Sequence, residues 1–144
     1  MDNAKLYKPQ KMKYFLVIDQ GTSSTRAILF DEKFAVVNVS QTEFKQFFPK
    51  DGWVEHDANE IFDTVIACIK DVITKSKTTY KEIIAIGITN QRETCLLWDK
   101  QGNPLSKAIV WQDRRTAELC NNFKKDGLDK KINQITGLLL SLIH

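Results

Sequence analysis

Long apolar runs, paired cysteines and a strong charge bias are all missing from this chain, and each absence removes a class of protein. The longest uninterrupted apolar runs, Phe15-Leu16-Val17-Ile18 and Leu138-Leu139-Leu140, fall far short of the ~20 residues that cross a bilayer as a helix. The amino-terminal lysines Lys5, Lys8, Lys11 and Lys13 precede no apolar stretch of signal-peptide length and no small-residue cleavage site. Residues 1–13 are therefore expected to be a solvated, flexible leader. Cys68, Cys95 and Cys120 cannot all pair within the chain, and none lies in C-x-x-C spacing of another, which argues against zinc and for a reducing compartment, the cytoplasm. Lys and Arg number 21 against 18 Asp and Glu, a net charge of +3 spread along the chain, so nothing demands nucleic acid as a partner. The six glycines and three prolines are scattered, without a low-complexity tract, a linker or a repeat of fixed period. What remains is 144 residues, 42% hydrophobic and 27% charged, the make-up of one soluble globular domain with a single core.

Apolar patterning orders the elements. Residues 14–19 (YFLVID) are β-branched and aromatic and stop at the turn-prone Gln20-Gly21-Thr22-Ser23-Ser24. Residues 25–31 resume apolar character, Asp31-Glu32-Lys33 makes a second turn, and residues 34–44 alternate Val37 and Val39 with polar neighbours. Two hairpins in series are expected, followed by a loop over residues 45–56 with a turn at Pro49-Lys50-Asp51-Gly52. Asp57 reads as a helix N-cap with Glu60 in capping-box position, and Ile61, Phe62, Val65, Ile66, Ile69, Val72 and Ile73 trace one stripe to about Lys75. Residues 82–89 (EIIAIGIT) are expected to be a strand covered on both faces, reached by a parallel crossover. Residues 94–99 and 108–111 read as shorter strands around a turn at 100–104, and residues 116–125 as a helix stopped by Asp126-Gly127.

Three antiparallel strands, a crossover helix and a further strand make an α/β fold, matching the first half of a ribonuclease-H-like or actin-like lobe, in βββαβα order with a mixed sheet and flanking helices. A Rossmann unit would open strand-helix-strand with G-x-G-x-x-G, and a P-loop would end in Gly-Lys-Ser/Thr; the chain has neither.

The string from Asp19 to Arg26 carries the most chemistry. A carboxylate at a strand end can hold a divalent cation or its waters, Gly21 permits close backbone approach, and Thr22, Ser23 and Ser24 offer hydroxyls and turn amides to phosphate oxygens. Arg26 can present a planar fork to the same oxygens. The same residues also describe an ordinary Gly/Ser/Thr hairpin turn; the strand-terminal aspartate tips the balance towards phosphate. Asn90-Gln91-Arg92-Glu93 follows a buried strand where open sheets place ligands, and Arg92 with Glu93 can grip a small polyol from two sides, unless the pair is merely solvated. Trp111 can wall a pocket or belong to the core. Trp53 anchors a loop, His56 lacks a nearby nucleophile and is a poor catalytic candidate, and the cysteines are small hydrophobes.

The strings IDQGTSSTRAILFD, GWVEHD, IGITNQRET, IVWQDRRTAE and TGL occur in order over about residues 14–140. Together they closely resemble the amino-terminal lobe of the FGGY carbohydrate kinases, of the actin-like ATPase superfamily, and within them the bacterial glycerol-phosphorylating branch. The resemblance implies transfer of the γ-phosphoryl of ATP to glycerol across a cleft between two lobes, and a homo-oligomeric parent enzyme. Residue by residue, it implies Asp19 at a Mg2+ site, Thr22, Ser23 and Ser24 on the nucleotide phosphates, and Arg26 as a phosphate-contacting arginine. It implies Arg92 and Glu93 on the glycerol hydroxyls and Trp111 against the glycerol carbons. Residues 14–144 are then an incomplete N-terminal domain, with the catalytic-base aspartate beyond the chain end.

Where that family carries Pro-Tyr after the TGL stretch, this chain reads Ser141-Leu142-Ile143-His144, as loss of one nucleotide from codons for Ser-Pro-Tyr-Ser can produce. The expectation is a truncated lobe, inactive alone. The competing readings are a fragment of another FGGY sugar kinase and a non-catalytic fragment that binds partners through exposed apolar surface such as residues 138–142. A ribonuclease-H-like nuclease is disfavoured, because the strand over residues 82–89 ends in Thr-Asn and not in an acid.

Overall fold

The computed structural model of the chain describes residues 12–140. The expected leader lies outside the described residues except for Met12 and Lys13, and the tail from Ser141 lies outside them too. Strands β1 (Tyr14–Gln20), β2 (Ser24–Phe30) and β3 (Val36–Glu43) form an antiparallel meander. Two short strands, β4 (Gln46–Phe47) and β5 (Glu55–His56), precede helix α1 (Ala58–Lys75), and a 3-10 turn at Tyr80–Glu82 leads into β6 (Ile83–Thr89). Strand β7 (Ala108–Ile109) and helices α2 (Ala117–Lys125) and α3 (Leu128–Thr136) follow. The main sheet runs β3-β2-β1-β6 with β6 parallel to β1, and β4-β5-β7 form a second sheet.

Side-chain alternation decides which face of the main sheet is covered. Tyr14, Leu16 and Ile18 of β1 and Thr25, Ala27 and Leu29 of β2 are buried, two residues apart as a pleated strand requires. Against them α1 sets Thr64, Cys68 and Val72, four residues apart on one helix face. The packed cluster is Tyr14, Leu16, Ala27, Leu29, Cys68 and Val72, flanked by Ile69, Ile73 and Ile83. Its one polar seam is satisfied: Thr64 donates its hydroxyl proton to the Ile61 carbonyl at 2.7 Å, so Thr25 Oγ1 donates to Thr64 Oγ1 at 2.9 Å. Asp57 caps α1 by accepting from the Asn59 and Glu60 amides. The Glu60 carboxylate accepts from the Lys45 backbone amide at 2.9 Å, tying the end of the meander to the helix.

Four expectations need correction. β6 is not covered on both faces: α1 packs chiefly over β2 and β3, β6 is the edge of its sheet among the described residues, and Ile84, Ile86 and Ile88 are 52%, 58% and 72% exposed. Residues 45–56 are not simply a loop, because they supply β4 and β5. Residues 94–99 make only isolated bridges, Cys95 with Ile109 and Trp98 with Pro104, while Asp99 Oδ1 collects the Gln101 and Asn103 amides of the intervening turn. Beyond Gly127, whose left-handed φ of 71° ends one helix and begins the next, residues 128–136 form α3, which sequence patterning missed.

Candidate functional site

Because β1 and β6 are parallel with Asp19 opposite Thr89, the loops after both strands leave the sheet at one level and on one edge, where open α/β sheets place ligands. Between them lies a cleft of about 490 Å³. Asp19, Gly21 and Thr22 line it from the β1 side, Arg92 and Glu93 from the β6 side, and Trp111 closes it. Five of the eight residues singled out from sequence thus share one cleft. Ser23, Ser24 and Arg26 lie outside its lining.

The turn after β1 is closed by the Gly21 amide donating to the Ser24 carbonyl at 3.0 Å. A Cβ at Gly21 would sit 3.1 Å from that carbonyl oxygen, so the bend is tight enough to favour glycine. Asp19 and Arg26 are cross-strand partners, and Arg26 Nη1 stands 3.8 Å from Asp19 Oδ2 with both side chains about two-fifths exposed. Such a loose, wet pair contributes at most about 1 kcal/mol, which leaves the carboxylate available to a ligand. Gln41 of β3 fixes the neighbours: its Oε1 accepts from Arg26 Nε at 3.1 Å and its Nε2 donates to Ser24 Oγ at 3.2 Å. Among the described residues no group of three or more His, Cys, Asp or Glu could hold a metal by itself. A cation at Asp19 would therefore complete its shell with water and ligand oxygens, which suits Mg2+ and not structural zinc.

On the opposite wall Glu93 adopts a left-handed backbone, φ 60°, a conformation that costs a residue with a Cβ about 1–2 kcal/mol and is typical of functional loops. Trp111 Nε1 donates to Thr22 Oγ1 at 3.0 Å, so the indole spans the cleft and its edge is pinned to the turn after β1. Its backbone is set from behind. The Val110 amide donates to the Val54 carbonyl at 3.0 Å, and the Val54 amide donates to Asp113 Oδ2 at 2.8 Å. Arg115 closes on Asp113 with two hydrogen bonds, reaches Glu55 Oε1 at 2.8 Å, and lays its guanidinium 3.7 Å from the Trp53 ring centroid. Burial pushes the Asp113 carboxyl up, but the Arg115 side chain and the Arg115 and Val54 amides outweigh it and hold the group below its usual value. Trp53 is thus an anchor, as its sequence context predicted.

Sequence reasoning missed the layer beneath the cleft. His56 is completely buried and Gln91 is only 9% exposed. Gln91 Nε2 donates to Gln20 Oε1 at 3.0 Å and lies 3.4 Å from His56 Nδ1, while Gln91 Oε1 accepts from Thr94 Oγ1 at 3.1 Å. Burial lowers the His56 pKa below its usual value, against the raising effects of Gln91 and Glu60.

The model of the FGGY family of carbohydrate kinases, N-terminal domain, matches residues 14–144. The glycerol kinase of Rhizobium meliloti (strain 1021) is 58% identical over 128 residues, which cover 88% of this chain and 26% of that protein. The glycerol kinase of Listeria monocytogenes serotype 4a (strain HCC23) is 53% identical over 129 residues, 89% of this chain and 26% of its own length. Among solved structures, Plasmodium falciparum glycerol kinase with ADP superposes with a TM-score of 0.83 at 37% identity, covering 92% of this chain and 27% of that one. Gluconate kinase from Lactobacillus acidophilus superposes with a TM-score of 0.84 at 25% identity, over 92% of this chain and 26% of that one. The chain spans about a quarter of the length of the relatives it matches. Strand order, cleft and comparisons converge: the chain has the α/β fold of the actin-like ATPases and belongs to the FGGY family of carbohydrate kinases, within the N-terminal domain of that family.

Proposed function

We propose that this chain is the phosphate- and polyol-binding lobe of an ATP-dependent glycerol kinase, which transfers the γ-phosphoryl of ATP to glycerol to give sn-glycerol 3-phosphate and ADP. The observation that carries the proposal is the single cleft onto which Asp19, Thr22, Arg92, Glu93 and Trp111 all open. Identity of 53–58% to curated glycerol kinases and, among solved structures, of 37% to a glycerol kinase against 25% to a gluconate kinase supports glycerol as the acceptor.

In this reading the bend over residues 21–24 offers amides and the hydroxyls of Thr22, Ser23 and Ser24 to the nucleotide phosphates, and Arg26 adds a charged fork from the next strand. Asp19 holds Mg2+ or its waters; bound there, the ion neutralises charge on the phosphate oxygens. Arg92 donates to two glycerol oxygens and Glu93 accepts from their protons, while Trp111 packs on the carbon chain. With its indole N–H committed to Thr22, the ring presents a carbon face. Positioning and charge neutralisation do most of the work in phosphoryl transfer, and these residues supply part of both.

The described cleft has two walls and no third carboxylate among its lining residues to accept the proton of an attacking hydroxyl. General-base help is typically worth about 10²–10⁴-fold, so the chain alone is expected to give negligible turnover. Its three thiols fit a cytoplasmic enzyme.

The test is an NMR titration of the labelled chain. Glycerol is expected to move the Arg92, Glu93 and Trp111 resonances, an effect lost in Arg92→Ala and Glu93→Gln. Gluconate or a pentulose moving them while glycerol leaves them in place transfers the assignment to another sugar kinase. Glycerol-dependent ADP formation at the rate of a complete kinase overturns the expected inactivity.

A further inference from the structure

Beneath the cleft runs a chain of hydrogen bonds whose sense is fixed at both ends. At one end Gln20 Nε2 donates to the Gly21 carbonyl at 3.0 Å. A backbone carbonyl only accepts, so Gln20 must turn its amide oxygen towards Gln91, and Gln91 must answer with its NH2. At the other end the Trp111 backbone amide, which only donates, points at Thr94 Oγ1 at 3.4 Å. Thr94 then gives its own proton to Gln91 Oε1 at 3.1 Å, which again requires the Gln91 oxygen on that side. Both ends demand one orientation of Gln91. Its second amide proton then faces His56 Nδ1 at 3.4 Å, which can accept only when the imidazole is neutral and protonated at Nε2. The His56 Nε2 atom is buried without a partner among the described residues, so it does not set the tautomer; the Gln91 contact does.

We propose that Gln91 is a positioning residue for the polyol loop: its buried amide ties that loop at once to the phosphate turn through Gln20, to Trp111 through Thr94, and to His56 on β5. The proposal rests on the phosphoryl-transfer reading of the cleft. Gln91 immediately precedes Arg92 and Glu93, and Glu93 holds a left-handed backbone. A loop in that conformation needs its base fixed, and the only side chain of the stretch 91–93 that is buried is Gln91. Any shift of this amide moves the polyol pair relative to the turn that carries Thr22, because both hang from it.

The experiment has two readouts on the 144-residue chain. The first, a long-range proton–nitrogen spectrum of the His56 ring near neutral pH, is expected to show a proton on Nε2 and a bare Nδ1. A proton on Nδ1 in the folded chain overturns the proposal whether or not glycerol binds. The second follows glycerol affinity and the Trp111 indole resonance in variants. Gln91→Met and His56→Leu are expected to shift the indole signal and weaken glycerol binding about tenfold, the worth of one or two buried hydrogen bonds. In His56→Asn the amide oxygen stands where Nδ1 stood, and affinity is expected to return to within about twofold of the original, a rescue that packing alone does not predict. A folded Gln91→Met chain, judged by its amide dispersion, with unchanged indole shift and unchanged glycerol affinity refutes the positioning role. If the unmodified chain ignores glycerol, the polyol assignment fails separately, and the ring spectrum and indole shift still decide for or against Gln91.

Discussion

Lowering the pH from about 7.5 to about 5 is expected to destabilise this chain through one residue, His56. Its side chain is completely buried, and burial drives its pKa below the ordinary value of 6.5, opposed by the Gln91 hydrogen bond and the nearby charge of Glu60. The unfolded chain therefore takes up a proton near pH 6.5 that the folded chain refuses until its own lower pKa is reached. Stability is fully present above the unfolded pKa and falls as the pH descends through the interval between the two values. Within that interval the slope approaches about 1.4 kcal/mol per pH unit, the worth of one proton. That is a large fraction of the roughly 5–15 kcal/mol that holds a small domain together. The window is clear of the carboxylates: Asp57, Asp71, Asp99 and Asp113 are all shifted below 3.8, so what they contribute is lost only at more acidic pH. Urea unfolding followed by tryptophan fluorescence across the window measures the slope, and the same series in His56→Asn removes the titrating ring. A flat profile in the unmodified chain, or an equal slope in His56→Asn, refutes the assignment.

Two further outcomes are expected. Asp113→Asn should cost about 3 kcal/mol in urea unfolding, the lower end for breaking a buried pair, because Arg115 keeps Glu55 as a partner; Glu55→Gln should cost about 1 kcal/mol or less, and equal losses would show that burial of Asp113 is not what matters. The open edge at β6 should make the chain self-associate with rising concentration in sedimentation velocity, and Ile86→Lys, at a position 58% exposed, should suppress it; a chain that stays monomeric throughout contradicts this.

The elements that could be read from sequence are those whose side chains obey one period and whose ends carry local signals. The β-branched and aromatic run in residues 14–19 and the apolar run in residues 25–31, each ended by a turn, marked β1 and β2, and the stripe from Ile61 to Ile73 after an Asp57 cap marked α1. Strands β4 and β5 are two residues each, too short to carry a period of their own; β4 pairs with β5 about ten residues further on, and β5 is held from its other side by β7, about fifty residues further on, which lies inside the strand read at residues 108–111. β6 misled in the opposite way. Its continuous apolar run was read as burial on both faces, but burial depends on what packs against a strand, and the described residues leave its isoleucines largely bare. The cleft lining was legible because ligand-binding side chains sit on loops after strand ends, where chemistry and position coincide. His56 and Gln91 were not, because a buried histidine or glutamine is recognised by its partners, and those partners come from β1, β5 and the loop after β6.

β6 nonetheless bears on the cleft directly, through its register with β1. Parallel strands lie about 4.8 Å apart, and with Asp19 opposite Thr89 the turn over residues 21–24 and the loop that carries Arg92 and Glu93 start roughly one strand spacing from each other. The phosphoryl transfer proposed for this cleft needs the acceptor oxygen within about 3–3.5 Å of the reacting centre, a distance that loops starting much farther apart could not hold without long, mobile connections. Register is what sets this spacing: Ile86 and Ile88 stand level with Leu16 and Ile18 of β1, while Ala85 and Gly87 stand level with Phe15 and Val17. A slip of one residue would turn each of these side chains to the opposite face and carry Arg92 and Glu93 along the strand axis by about 3.3 Å. That displacement is as large as the reaction distance itself. The register of β6 against β1 therefore sets how far Arg92 and Glu93 stand from the turn over residues 21–24, and under the proposed function the Gln91 amide, two residues past the end of β6, acts on that same spacing.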